Sequence, residues 1–250
     1  MKAINFVILT TQRSGSTWLV DVLDGCIDTA VYGELFLPEK MKWQAGSSDF
    51  PQFFEARRGM RPLATFAYLN RLYGRPGHIG FKLMYSNLRR YPEILPYLCW
   101  RRLPVVHLVR RNVLDVMISA EMAQAKGQWH VTAVDPVPAA TRQIWLDPQT
   151  LPRRLQRLQK KTAANRRWLR ACRLPHLEIS YEALLTDPMQ FDRIFQFLGL
   201  AAGKTRPQSG FAKIRQAGYA AEISNYAEIK ETLAGTKFSR LLEEENGVTL

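Results

Sequence analysis

Thr10-Thr11-Gln12-Arg13-Ser14-Gly15-Ser16-Thr17-Trp18 gathers hydroxyls, one guanidinium and one glycine into a short span. The Ser14, Ser16 and Thr17 hydroxyls can donate hydrogen bonds, and Arg13 adds a fixed positive charge with a fork of donors. Gly15 lets the backbone come close to an anion. An apolar run, Ile4 to Thr10, precedes the segment. Trp18, Leu19, Val22 and Leu23 follow it on one face of a helix starting near Ser16. Such a strand–loop–helix turn aims free N–H groups and the positive end of a helix dipole at a phosphate. The same residues would also make an ordinary helix cap, where Ser and Thr are favoured. Two other phosphate motifs are excluded. No lysine follows Gly15, as a G-x-x-x-x-G-K-[ST] loop requires, and no G-x-G-x-x-G follows the strand.

A second charge stands where charge is costly. Lys82 lies inside the apolar run Gly80-Phe81-Lys82-Leu83-Met84, and a lysine there needs an anion to meet. Arg111, at the end of a third apolar run, is followed eight residues later by Ser119 on a helical pattern. By themselves these residues read as an arginine solvating a strand end and a serine facing inward.

The elements that must carry these groups are short strands alternating with helices. Strands are expected over Ile4 to Thr10, His78 to Tyr85, Pro104 to Arg110 and His176 to Tyr181. Val105 to Val109 is nearly continuous in apolar character, as in a central parallel strand covered on both faces, with His107 a hydrogen-bonded core histidine. Val113, Val116, Met117 and Ala120 share a helix face. Thr186-Asp187-Pro188 starts another helix that Gly199 ends. The pattern is α/β with a mainly parallel sheet, in a single domain spanning 1–250. Residues 35 to 62 and 121 to 152, broken by prolines, read as irregular insertions of the kind that form lids or substrate walls. Trp43, Trp129, His130 and Trp145 lie in them and could stack on sugar rings or fill a lid core.

The 250 residues can bury a core without disulfides or metals. A net charge of +13 favours anionic partners without choosing among nucleotides, nucleic acid, acidic glycans and a membrane surface. The helix carrying Arg153, Arg154, Arg157, Lys160, Lys161, Arg166, Arg167, Arg170 and Arg173 contains no acidic residue. It reads mostly as a solvated face, and secondarily as a recruiting surface for an anionic acceptor. Cys26, Cys99 and Cys172 form no ligand cluster, so no metal site is expected, and three separated thiols suit a cytoplasmic protein. The apolar run Phe6 to Leu9 is too short for a signal peptide or membrane span.

Gln12 to Trp18 resembles the 5′-phosphosulfate-binding motif of sulfotransferases that use 3′-phosphoadenosine 5′-phosphosulfate (PAPS). Arginine in place of lysine in the loop is usual in the carbohydrate-type members and their bacterial, trehalose sulfotransferase-like relatives. Arg111 and Ser119 resemble that family's 3′-phosphate ligands, although Val113 replaces the usual proline. Ile179-Ser180-Tyr181-Glu182-Ala183-Leu184, with Asp187-Pro188 and Phe197-Leu198-Gly199, resembles a further family segment. It would put Tyr181 beside adenine and make Glu182 a scaffold brace. Leu233-Ala234-Gly235-Thr236-Lys237-Phe238 resembles the C-terminal segment of the bacterial branch, with Lys237 a candidate for closing on the 3′-phosphate. Tyr32-Gly33-Glu34-Leu35-Phe36 resembles a Gly-Glu segment that follows the first helix, where the glutamate is the proposed base.

The resemblance implies a P-loop-like three-layer sandwich and PAPS as co-substrate, with no metal. The acceptor it implies is a hydroxyl on a carbohydrate or glycolipid. Glu34, Arg13 and Lys82 would be catalytic, and Arg13, Ser14, Gly15, Ser16, Thr17, Trp18, Arg111, Ser119, Tyr181 and Lys237 would bind the donor. The Met84 position carries a catalytic histidine in the cytosolic branch, and methionine cannot accept a proton, so the base falls to Glu34. No nucleic-acid partner is expected, while peripheral contact with anionic surfaces stays open and oligomeric state is not specified. Two other classes are carried alongside: a nucleotide-dependent phosphotransferase, and a nonenzymatic basic nucleic-acid-binding protein.

Overall fold

The computed structural model describes residues 3–38, 50–54, 60–126, 143–201 and 218–243. They fall into two compact units, 1–109 with 165–208 and 110–164 with 209–250. Trp43, Trp129, His130 and parts of both predicted insertions lie outside the described residues.

The first unit is a parallel five-stranded sheet in the order β2-β3-β1-β4-β5, covered by helices on both faces. β1 (Asn5–Thr10), β3 (His78–Met84), β4 (Val105–Val109) and β5 (His176–Ser180) match the four expected strands to within a residue at either end. β2 (Thr29–Glu34) was not expected as a strand. It is an edge strand, and its short Thr-Ala-Val-Tyr-Gly-Glu run carries a glycine that blurs the alternation.

Side chains alternate between the two faces, as the pleat requires. Val7, Leu9, Phe81, Leu83 and Val105 point to one side. There they pack with α2 (Arg61–Tyr73), α3 (Tyr85–Arg90), α4 (Ile94–Arg101) and the end of α6 (Leu151–Ala171). Phe6, Ile8, Val106, Leu108 and Ile179 point to the other side, onto α1 (Ser16–Asp24), α7 (Tyr181–Thr186) and α8 (Met189–Leu198). Gly199, at φ 61°, ends α8 as expected.

The described part of the 35–62 stretch is core rather than a detached flap. Leu35, Phe36, Phe50 and Phe53 are buried in the first layer, and Tyr68 of α2 donates to the Pro51 carbonyl at 2.7 Å.

The second unit is helical: α5 (Val113–Lys126), the residues of α6 up to 164, α9 (Tyr219–Glu222), α10 (Tyr226–Leu233) and a 3-10 turn over Ser239–Leu242. Leu114, Ile118, Met122, Leu155, Ile229 and Leu233 form its core. The stretch after the second insertion is tied in by backbone. Ile144 bridges Ile223, and the Asn225 side chain bonds both the N–H and the carbonyl of Leu146. Trp145 between them is exposed, which removes the lid-core reading for that residue. Among the described residues no helix is long and apolar enough to cross a membrane.

Candidate active site

β1 sits at the centre of the sheet. The chain leaves it towards the β2 edge and later crosses back to β4, so the order reverses beside β1. In open parallel sheets, ligands bind outside the carboxyl ends of strands at such a reversal. The Thr11–Gly15 loop lies at that end of β1.

Arg13 (φ 59°) and Gly15 (φ 76°) both take left-handed conformations around Ser14, the alternation that turns successive N–H groups inward. Gly15 is the N-cap of α1, no side chain caps that helix, and its first turn has no acidic residue. The capping alternative raised by the sequence is therefore not what the Ser and Thr residues do.

The Ser14 hydroxyl is fully buried. It donates to the Thr11 carbonyl at 2.8 Å and lies 2.6 Å from the Thr10 hydroxyl, which in turn bonds the Leu108 carbonyl. The expected hydroxyl donor of Ser14 is thus spent inside the loop, which the Thr10 hydroxyl ties to β4. Ser16 is buried and Thr17 half-buried at the helix start.

Tyr181, the first residue of α7, covers the loop. A Cβ built on Gly15 would stand 2.2 Å from its ring. Trp18 meets Tyr181 edge-on at 6.4 Å and Phe191 of α8 at 5.2 Å, so its contacts brace the loop helix against the neighbouring layer.

Glu34 and Lys82 come from neighbouring strands and form an ion pair of 3.1 Å. Glu34 ends β2, where the pairing register shifts between Tyr32 and Glu34. That irregularity sets Glu34 opposite Lys82, which is itself only 6% exposed. The anion that Lys82 needed is Glu34. Gln52 pins the same corner, donating to the Glu34 carbonyl at 2.6 Å.

In the second unit, Arg111 is exposed just ahead of α5, and Ser119 is buried two turns into that helix. Lys237 is exposed, with its ammonium 5.0 Å from the Phe238 ring centre. Among the described residues no cluster of three or more His, Cys, Asp or Glu is placed to hold a metal ion.

Two networks escaped the sequence. His107 lies between the Tyr85 hydroxyl (2.6 Å to Nε2) and Glu178 (3.0 Å from Nδ1), and Glu178 also accepts from Arg166 at 2.6 Å. Burial pushes the Glu178 carboxyl up, but the hydrogen bonds from His107 and Arg166 outweigh it and bring it down to about 2. The only advance signal was a histidine in an apolar strand. In the second unit the fully buried Asp115 pairs with Arg110 at 2.8 Å and accepts from the Tyr219 hydroxyl at 2.7 Å. No local pattern marked that link.

No curated protein sequence matches the chain. Among the solved structures that resemble it are three sulfotransferases. A sulfotransferase from Alicyclobacillus acidocaldarius is 15% identical, covering 92% of this chain and 96% of its own, with TM-score 0.47. The sulfotransferase domain from the curacin biosynthetic pathway is 17% identical over 92% and 90%, with TM-score 0.50, a likeness of fold. A mouse sulfotransferase complexed with PAP is 10% identical over 98% and 88%, with TM-score 0.40. Residues 101–221 match the family model described as Stf0 sulphotransferase. The match over residues 101–221, just under half of the chain, and the parallel sheet with a turn of left-handed residues after its central strand make this chain similar to the Stf0 sulphotransferases.

Proposed function

We propose that this enzyme moves a sulfuryl group from PAPS to a hydroxyl of a carbohydrate or glycolipid, with Glu34 as the base. The observation that carries the reading is the Glu34–Lys82 pair towards the carboxyl edge of the sheet, on the edge strand β2 and its neighbour β3, which pairs with β1. The bound donor supplies an activated sulfur–oxygen bond, whose cleavage leaves 3′-phosphoadenosine 5′-phosphate.

Glu34 takes the acceptor proton as the new oxygen–sulfur bond forms. Lys82 keeps the carboxylate oriented and brings a positive charge to the oxygens on which charge develops, a task shared with Arg13. The uncapped start of α1 supports a role for residues 13–17 in holding the 5′-phosphosulfate. The Tyr181 ring over Gly15 supports its assignment next to the base of the nucleotide. Arg111, Ser119 and Lys237 are assigned to the 3′-phosphate by their resemblance to the family motifs. The two stretches 35–62 and 121–152 are assigned to acceptor choice, and three cysteines held as thiols, Cys26, Cys99 and Cys172, support a cytoplasmic setting.

Thermal stability in the presence of 3′-phosphoadenosine 5′-phosphate, against ATP with magnesium, tests the donor. A rise with the bisphosphate is expected, and a rise with ATP and magnesium alone overturns the assignment. Glu34→Gln should keep that rise while losing turnover by roughly 10²- to 10⁴-fold. Near-normal turnover in this variant would remove Glu34 as the base.

A further inference from the structure

We infer that the α2–α3–α4 face of the first unit, with the end of α6, docks this enzyme on a bilayer containing anionic phospholipid. From Ala56 to Pro92 and again from Ile94 to Leu114 the chain has no Asp or Glu, and neither has residue 148 to residue 177. The fold gathers the first-unit portions of these stretches onto one side of the sheet. Among the described residues, two acids stand there and both are paired: Glu93 with Arg61 at 2.8 Å, and Glu178 with His107 and Arg166. Every exposed charge that α2, α3, α4 and the end of α6 present is therefore positive, among them Arg101, Arg102 and Arg170. Of the other described acids of this unit, Asp21, Asp24 and Asp192 lie on the helices of the opposite layer.

The basic face also exposes apolar side chains that touch one another. Trp100 of α4 is 63% exposed and stacks on the half-buried Phe66 of α2 at 6.1 Å. Leu63, one helical turn before Phe66, is 74% exposed. Single exposed apolar residues are ordinary, whereas a contiguous aromatic and aliphatic patch ringed by arginine is the pattern of a surface that rests at the headgroup level. Arginine meets the headgroup phosphates, and Trp100 and Leu63 enter the acyl boundary. A second copy of this chain is a poor occupant, because a two-fold contact through this face would set like charges against each other. Nucleic acid would meet the arginines but offers nothing to Leu63.

The inference does not depend on the donor or on Glu34, and its test separates them. The full chain is sedimented with phosphatidylcholine vesicles, and with vesicles carrying one-third phosphatidylglycerol, at roughly 0.1 M salt. Binding to the anionic vesicles alone, weakened by added salt, is expected. Arg101→Glu with Arg102→Glu should lower the affinity roughly 30-fold. Leu63→Ser with Trp100→Ser should weaken vesicle binding while leaving retention on a heparin column unchanged. Stabilisation by 3′-phosphoadenosine 5′-phosphate should be the same in both variants, which shows them folded and keeps the donor assignment apart from this one. No sedimentation with anionic vesicles overturns the inference. So does a Leu63/Trp100 variant that binds vesicles as the parent does, or a parent that binds a duplex oligonucleotide more tightly than vesicles.

Discussion

A methyl group at position 15 would stand 2.2 Å from the Tyr181 ring, on a backbone whose φ of 76° already disfavours any side chain. Gly15→Ala therefore carries about 1–2 kcal/mol of backbone strain, in addition to displacing Tyr181. The expected outcome is a melting point lower by roughly 2–8 °C and donor-product affinity weakened tenfold or more, read by calorimetry. Lys82 makes a different demand. Its ammonium is buried against Glu34, so Lys82→Met removes the charge while keeping an apolar stem of similar length in an apolar strand. Turnover should fall by roughly 10- to 1000-fold, as when one preorganised charge is lost from an active site, with donor-product binding changed far less. An equal loss in binding and turnover would make Lys82 a donor ligand instead.

Between elements, the two polar networks decide how strands and helices stay in register. Glu178 on β5 lies opposite His107 on β4 and is held down to about 2 from its ordinary value near 4.5. A carboxyl whose folded pKa is depressed contributes stability above its unfolded value and loses it as the pH falls towards the folded one. The melting point should therefore drop between about pH 4.5 and 2. Glu178→Gln should flatten that part of the profile and lower the plateau above it. In the second unit, the Tyr219 hydroxyl reaches the fully buried Asp115, which also holds Arg110. Tyr219→Phe leaves Asp115 one donor short and should cost about 1–3 kcal/mol in denaturant unfolding. A cost near zero would mean that Arg110 alone satisfies the carboxylate.

At the scale of the whole molecule, the net charge of +13 has a local centre, since α2, α3, α4 and the end of α6 expose no negative side chain. Self-repulsion of this kind weakens the compact state and is screened by salt. Raising sodium chloride from roughly 0.01 M to 0.15 M should raise the melting point; a fall would mean that native ion pairs outweigh the repulsion. The sequence by itself determined what local pattern can determine. Four of the five strands, the loop that follows β1 and the α8 stop at Gly199 were legible because each is written in neighbouring residues. β2 was not, because a glycine-bearing edge strand lacks a clear period, and with it went the true setting of Glu34. Glu34 and Lys82 were both legible as reactive groups through their types and surroundings. That they are partners was decided only by strand order and by a register shift, since residues 48 apart in sequence meet only when parallel strands pair. The loop's inward-turned Ser14 and the single-signed face were likewise settled by tertiary structure, which alone assigns each side chain a side of the sheet.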